Sequence, residues 1–251
     1  MCTVVTLRRP GHPWPLLLAA NRDEMGDRPW QAPARHWPDR PDVVAGLDEL
    51  AGGSWLGVNE AGVIAAILNR RNSLGPAPGM RSRGELVLDA LDHADAAVAA
   101  EALGALVARA YRSFNLVIAD DRDAFWLRGG GRDGPDQPRV TEIPIGLSML
   151  TASDLDDAMD PRIAFHLPRW RRAGIPDPAQ ADWGAWEALL ASSDHAGDPR
   201  GAMSFHLDSG FGTVSSALIA LPDRSGPPPH KPRFRFAGGS SESIRWRDVT
   251  L

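Results

Sequence analysis

Cys2-Thr3-Val4-Val5-Thr6-Leu7, then the turn-rich Pro10 to Pro15, then Leu16-Leu17-Leu18-Ala19-Ala20-Asn21-Arg22-Asp23-Glu24: this opening reads as an antiparallel hairpin. Its first arm is rich in β-branched residues, and its second is apolar before it turns charged. Pairing Arg9 with Leu16 sets Cys2 opposite Asp23 and brings Asn21, Arg22 and Glu24 beside the N-terminus.

Trp55 to Asn59 and Val63 to Asn69, joined at Glu60-Ala61-Gly62, form a second hairpin, and Phe114 to Ala119 with Ala124 to Arg128 a third. The stretch Val63 to Leu68 is apolar on both faces, so both sides of that strand are covered. Residues 25 to 50, rich in proline and glycine around Trp30 and Trp37, read as a long ordered loop. Ser82-Arg83-Gly84-Glu85 has the pattern of a capping box opening a helix to about His93, and Asp95 caps a second running to about Tyr111. Val140 to Leu150 is one further extended segment. Asp160-Pro161 starts a helix toward Ala173 that Pro168 should kink, and Trp183 to Ser192 gives a short one. Thr213 to Leu221, Phe234 to Phe236 and Ser243 to Val249 close the chain as strands around the loop Pro227 to Pro232. Hairpins, paired helices and hairpins again, without regular βαβ alternation, predict an α+β fold of antiparallel sheets with helices on their outer faces, in one domain over residues 1–251.

The 251 residues are 43% hydrophobic and 24% charged, enough to bury a sizeable core. With 27 basic and 32 acidic residues the net charge is -5, which leaves no surplus of positive charge for nucleic-acid phosphates. A single cysteine excludes an intrachain disulfide and a cysteine-based zinc or iron–sulfur site, and points to a reducing compartment. The first thirty residues lack the basic and apolar regions of a signal peptide, and the run Gly62 to Leu68 is far shorter than the roughly 20 residues of a membrane span. The expectation is a cytoplasmic protein with no membrane span, no metal and no cofactor, whose partner is a small molecule. The sequence carries no signature of oligomeric state.

Gly129, Gly131 and Gly134 have dinucleotide-loop spacing, but a strand follows where that site needs a helix, so they read as a hairpin loop. The histidines at 12, 36, 93, 166, 195, 206 and 230 show no metal-binding spacing. Trp183 and Trp186 lie three apart on a helix and read as core.

Cys2 differs in kind. Once Met1 is removed, as a small second residue permits, Cys2 carries both a thiol and an α-amine. The amine, with a reference pKa of about 8 against about 8.5 for the thiol, can take the thiol proton, so one residue supplies nucleophile and general base. Asp23 would anchor the ammonium, Arg22 would hold a thiolate or bind a carboxylate, and Asn21 would offer an amide donor. On this reading the thiol titrates below its reference value. The plainer reading makes Cys2 a small hydrophobe at a strand start, beside an ordinary charged strand end.

Met1-Cys2-Thr3 followed by Asn21-Arg22-Asp23-Glu24 resembles the NRDE family, also called the transport and Golgi organisation protein 2 homologues. The likeness continues in Ala51-Gly52-Gly53-Ser54-Trp55-Leu56-Gly57-Val58-Asn59, Ser82-Arg83-Gly84-Glu85-Leu86, Phe114-Asn115-Leu116 and Gly212-Thr213-Val214-Ser215-Ser216, so it covers most of the chain. The same segments are similar to the N-terminal-nucleophile hydrolases that cleave penicillin V and conjugated bile acids. That resemblance implies an αββα sandwich of two antiparallel sheets, with Cys2 as nucleophile and Asp23 as the residue that holds its amine. It also implies that Asn69 and the amide of Arg70 border an oxyanion hole. Glu24, Arg70, Asn115 and Trp55 are the expected ligand contacts. Three positions depart from the pattern. Ser148-Met149 stands where relatives have Thr-Asn or Ser-Asn, and methionine cannot donate a hydrogen bond. Val214 stands where many relatives have arginine. Ala20 replaces an arginine of the hydrolases, with Arg22 the nearest substitute. Restoring an amide by Met149→Asn is expected to speed turnover.

Two functional classes follow from the resemblance. In one, Cys2 attacks a carbon–nitrogen amide bond of a small molecule. In the other, the same cleft carries haem, a lipid or an acyl-CoA without catalysis, which the missing donor at Met149 favours. The loops 25 to 50 and 72 to 80 would set the ligand.

Overall fold

The computed structural model describes residues 2–225, 231–239 and 245–251, in two compact units. One unit is Pro29–Ile143 with Thr250–Leu251; the other holds the residues up to Arg28 and Pro144–Val249.

Along the chain, β1 (Thr3–Arg8) and β2 (Leu16–Met25) form the expected opening hairpin. Then come β3 (Trp30–Ala34) and β4 (Val43–Asp48), which replace the loop expected there. β3 tolerates Pro33 because it lies at a sheet edge, where one line of N–H groups need not be paired. β5 (Leu56–Asn59) with β6 (Ile64–Asn69), and β7 (Phe114–Ala119) with β8 (Ala124–Gly129), are the second and third hairpins as read. Gly131 and Gly134 lie in the loop from β8 to β9 (Arg139–Glu142), as a hairpin loop requires. The extended segment expected over Val140 to Leu150 is broken in two: β9 ends at Glu142, and β10 (Gly146–Leu150) joins the other sheet.

Between β6 and β7 lie α1 (Glu85–Leu91) and α2 (Ala96–Gly104). Asp95 caps α2, accepting from the Ala97 and Val98 amides at 2.9 and 3.1 Å, but the helix stops at Gly104, short of Tyr111. The capping box at α1 does not form. Its N-cap is Gly84, and Glu85 turns instead to Tyr111 and Arg81. The reason is a main-chain docking: the Ser54 amide donates to Gly84 O at 3.0 Å, and a Cβ on Gly53 would lie 2.4 Å from the Gly84 carbonyl carbon. Later, α3 (Pro161–Arg172) is capped by Asp160 and runs through Pro168, followed by α4 (Ala185–Leu190) and the strands β11 (Phe211–Leu221), β12 (Arg233–Gly238) and β13 (Arg247–Asp248). The parts of the expected loop and last strand at 227–230 and 243–244 lie outside the described residues.

Among the described residues the strands make a six-stranded sheet ordered β10-β1-β2-β11-β12-β13 and a seven-stranded sheet running β3 to β9 in sequence order, with antiparallel pairing throughout. The α+β expectation holds. In the first sheet, Val5, Leu7, Leu17 and Ala19 pack with Ile163, Leu167 and Trp170 of α3 and Trp186 and Leu190 of α4. Trp183 joins this cluster, as read from its spacing. In the second sheet, Ala65, Phe114, Leu116 and Leu127 pack with Leu88 and Leu91 of α1 and Ala99 and Leu103 of α2.

Each sheet fixes a helix end with one asparagine. The last carbonyls of a helix have no donor within it. Asn59 Nδ2 donates to Leu91 O and His93 O at 2.8 and 2.7 Å, and Asn21 Nδ2 to Leu190 O and Met203 O at 2.9 and 2.8 Å. Among the described residues no helix is long and apolar enough to cross a membrane.

Candidate active site

The opening hairpin pairs Thr3 with Asn21 and Arg8 with Leu16, one residue out from the expected register. The turn decides this: Arg9 N–H closes onto Pro15 O at 2.7 Å, while Arg9 Nη2 donates to Trp14 O and His12 Nδ1 accepts from the Trp14 amide. A one-residue slip exchanges the faces of a strand. Thr3, Asn21 and Asp23 therefore point to the helices, and Cys2, Ala20 and Arg22 to the opposite face. Asp23 nonetheless meets the thiol through its main chain, with Cys2 Sγ 3.4 Å from Asp23 N and 3.6 Å from Asp23 O.

This environment corrects the expected direction of the thiol's titration. Burial pushes the Cys2 thiol up, and the Asp23 carboxylate pushes it further; Arg22 pulls it down more weakly. The half-buried thiol is a neutral group at neutral pH, and a base must remove its proton.

Asp23 is buried, and both of its oxygens are engaged. Oδ1 accepts from Thr213 Oγ1 at 2.8 Å, and Oδ2 accepts from Arg162 Nη1 at 3.0 Å. The Arg162 guanidinium, also buried, donates to Thr3 Oγ1 at 2.8 Å and Arg200 O at 2.7 Å, and lies 5.4 Å from the Phe205 ring. Asn21 was expected to offer its amide to a ligand. That amide is committed to Leu190 and Met203, and its Oδ1 accepts from Ser216 Oγ at 2.6 Å. Glu24 Oε1 accepts from the Met25 amide, and Oε2 lies 3.8 Å from Arg28 Nε.

Met149 is not at the place expected of it. It pairs with Val5 on the helix side of β1 and is fully buried in the cluster around Trp170 and Trp186, so its side chain is core and not a lost donor. Ser148, opposite Thr6, and Leu150, opposite Val4, are the β10 side chains on the face of Cys2. Val214 sits at a register break, since Thr213 pairs with Asp23 and Ser215 with Arg22.

The remaining expected residues gather in the other unit. Asn69 closes β6 opposite Phe114. The Arg70 amide, expected to face a ligand, points to Ser113 O at 3.5 Å, and its Nη1 donates to Asn115 Oδ1 at 2.7 Å. Buried Asn115 also accepts from Trp126 Nε1 at 3.0 Å. Trp55 stands edge-on to Trp30 at 5.9 Å and covers Gly46, where a Cβ would lie 2.3 Å from its ring.

Arg162, Thr213 and His166 were missed. A signal for the first was present: Arg162, His166 and Trp170 recur every four residues on α3 and so share its inner face. His166 is buried beside Gly201 O, 3.1 Å from Nε2. Burial, helped by the Arg162 and Arg169 charges, pushes this imidazole down to about 4. An unfolded chain protonates it near about 6.5, and the folded chain does not until about 4, so stability is lost as pH falls through that window. Urea unfolding should show the wild type losing about 2 kcal/mol more than His166→Gln between about pH 7 and 5. Equal losses in the two proteins would contradict this.

The profile of the family described as Transport and Golgi organisation 2 matches residues 1–161. The mouse Transport and Golgi organization 2 homolog is 36% identical over 108 residues, covering 42% of this chain and 38% of that protein. The human homolog is 34% identical over 144 residues, covering 53% and 50%. The chain thus matches half or less of the length of these relatives. Among solved structures, an N-acylethanolamine-hydrolyzing acid amidase ortholog from Caenorhabditis elegans superposes with a TM-score of 0.57 at 12% identity, over 89% of this chain and 95% of that one. Penicillin V acylase from Agrobacterium tumefaciens gives 0.52 at 14% identity, over 99% and 86%. A mutant conjugated bile acid hydrolase from Clostridium perfringens gives 0.53 at 12%, over 99% and 92%. These likenesses establish the N-terminal-nucleophile hydrolase fold. With the family profile matching well over half of its residues, and the Asn-Arg-Asp-Glu strand set against the cysteine at its start, the chain belongs to the Transport and Golgi organisation 2 family.

Proposed function

We propose that this chain is a hydrolase of a carbon–nitrogen amide bond in a small molecule, with Cys2 as its N-terminal nucleophile. The observation that carries this reading is the seat of the thiol, which touches the main chain of a residue whose carboxylate is buried and held from two sides. A thiol pushed up by burial needs a base close by. The α-amine of a chain beginning at Cys2 is such a base.

The amine takes the thiol proton, and the thiolate sulfur bonds to the amide carbon as its C=O becomes an oxyanion. The resulting ammonium returns the proton to the leaving nitrogen, the C–N bond breaks, and an acyl thioester remains. Water, deprotonated by the same amine, attacks the thioester and releases the acid and the thiol. Arg22, on the face of Cys2, supplies positive charge to the oxyanion or to a substrate carboxylate. A free thiol nucleophile suits a reducing, cytoplasmic setting. The reading as a carrier of haem, lipid or acyl-CoA comes from the family resemblance; the argument that favoured it, Met149 as a lost donor, is weakened because Met149 is a core residue.

The test is a panel of acyl amides and activated esters incubated with protein whose N-terminus is defined by intact mass, quenched in denaturant and weighed. An acyl adduct is expected, absent in Cys2→Ser and in protein that retains Met1. Saturable binding of haem or acyl-CoA, with no adduct from any acyl donor, would overturn the reading in favour of the carrier.

A further inference from the structure

Arg162 reaches the Cys2 site from 139 residues away along the chain. Its guanidinium, 1% exposed, contacts both sides of the thiol's seat at once: Thr3, the residue after Cys2, and Asp23, whose main chain touches the sulfur. It also holds Arg200 O, and one helical turn later His166 meets Gly201 O, so α3 grips two successive carbonyls of the segment leading to β11.

A buried ion pair adds little net stability over apolar packing of the same volume, because desolvation of the two charges offsets their attraction. Position is a better account of this one. The Asp23 carboxylate stands against thiolate formation, and Arg162 both offsets part of its charge and keeps it on the helix side of β2.

We propose that Arg162 is a positioning residue of the Cys2 site, holding Thr3 and the Asp23 carboxylate so that the thiol can ionise when a base takes its proton. This rests on reading Cys2 as the nucleophile. The charged groups acting on the thiol are the N-terminal amine, which pulls it down, and Asp23 and Arg22 on β2, with Arg162 behind Asp23 on α3. His166, next on α3, is neutral above pH about 4 and adds no charge across the range tested.

The experiment follows alkylation of Cys2, the only cysteine, by iodoacetamide from about pH 6 to 10 in the full chain. Arg162→Met should raise the midpoint by about one unit, which is about tenfold slower alkylation at neutral pH, and Arg162→Lys should restore most of the rate by restoring the charge. The double variant Arg162→Met with Asp23→Asn leaves no buried charge unpaired, and should alkylate at a midpoint below the wild type because the opposing carboxylate is gone. A residue that only stabilises the fold would shift melting temperatures and leave these midpoints together. An unchanged midpoint in Arg162→Met overturns the proposal. Should that variant fail to fold, a double-variant midpoint equal to or above the wild type overturns it. This readout needs no substrate, so an inactive wild type with ordered midpoints would fault the amidase reading and leave the role of Arg162 standing.

Discussion

Met149→Asn is expected to destabilise the protein by about 4 kcal/mol and to bring no gain in turnover. The methionine side chain is fully buried between β10 and the α3 and α4 tryptophans. Truncating a buried methionine costs about 2–5 kcal/mol. An unpartnered amide left in its place adds about 1–3 kcal/mol. Met149→Leu, which keeps the volume, should cost less than about 1.5 kcal/mol. Urea unfolding of the three proteins measures both differences, and an asparagine variant as stable as the wild type would place residue 149 at the surface of a site after all.

The second large effect concerns two glycines in contact, of which one should tolerate a methyl group and the other should not. A Cβ on Gly53 would sit 2.4 Å from the carbonyl carbon and 2.8 Å from the Cα of Gly84, and neither backbone can swing aside as a side chain would. Gly53→Ala should therefore cost about 3 kcal/mol or more, the upper end for overpacking. From the other side, a Cβ on Gly84 meets Ser54 N and O at 3.2 Å, a fit that gives by tenths of an ångström. Gly84 also has helical angles, φ -63 and ψ -22, that alanine favours. Gly84→Ala should stay within about 1 kcal/mol of the wild type, helped by a less flexible unfolded chain. Thermal melts of the pair test the asymmetry, and equal losses would show that the loop moves as a unit.

The hairpins were legible because alternation and turn residues are local signals: β1 with β2, β5 with β6 and β7 with β8 appear where the sequence puts them. The pair β3 and β4 was hidden by prolines, whose ordinary meaning is suspended at a sheet edge. The register of the first hairpin depended on how Arg9, His12 and Trp14 close their turn, a matter of side-chain hydrogen bonds that composition does not encode. At the site, the nearness of Cys2 to Asp23 was readable from the opening residues, but the face to which the Asp23 carboxylate turns was not. The partners of Asp23 were not, because Arg162 and Thr213 arrive from α3 and β11 at separations of 139 and 190 residues. Met149 was misread for the same reason as the register, since one step along a strand exchanges one face of the sheet for the other.

The alternation of β2 also bears on how such a site could be remade. Asn-Arg-Asp-Glu is one word in the sequence but two pairs in space: Asn21 and Asp23 are committed to the helices and to β11, while Arg22 and Glu24 belong to the other face. On the proposed function, selection on the first pair acts through folding and selection on the second through the ligand. A library aimed at a new substrate should vary Ala20, Arg22 and Glu24 together and leave Asn21 and Asp23 fixed. One that randomised the tetrapeptide as a block would fill with chains that never reach a folded state.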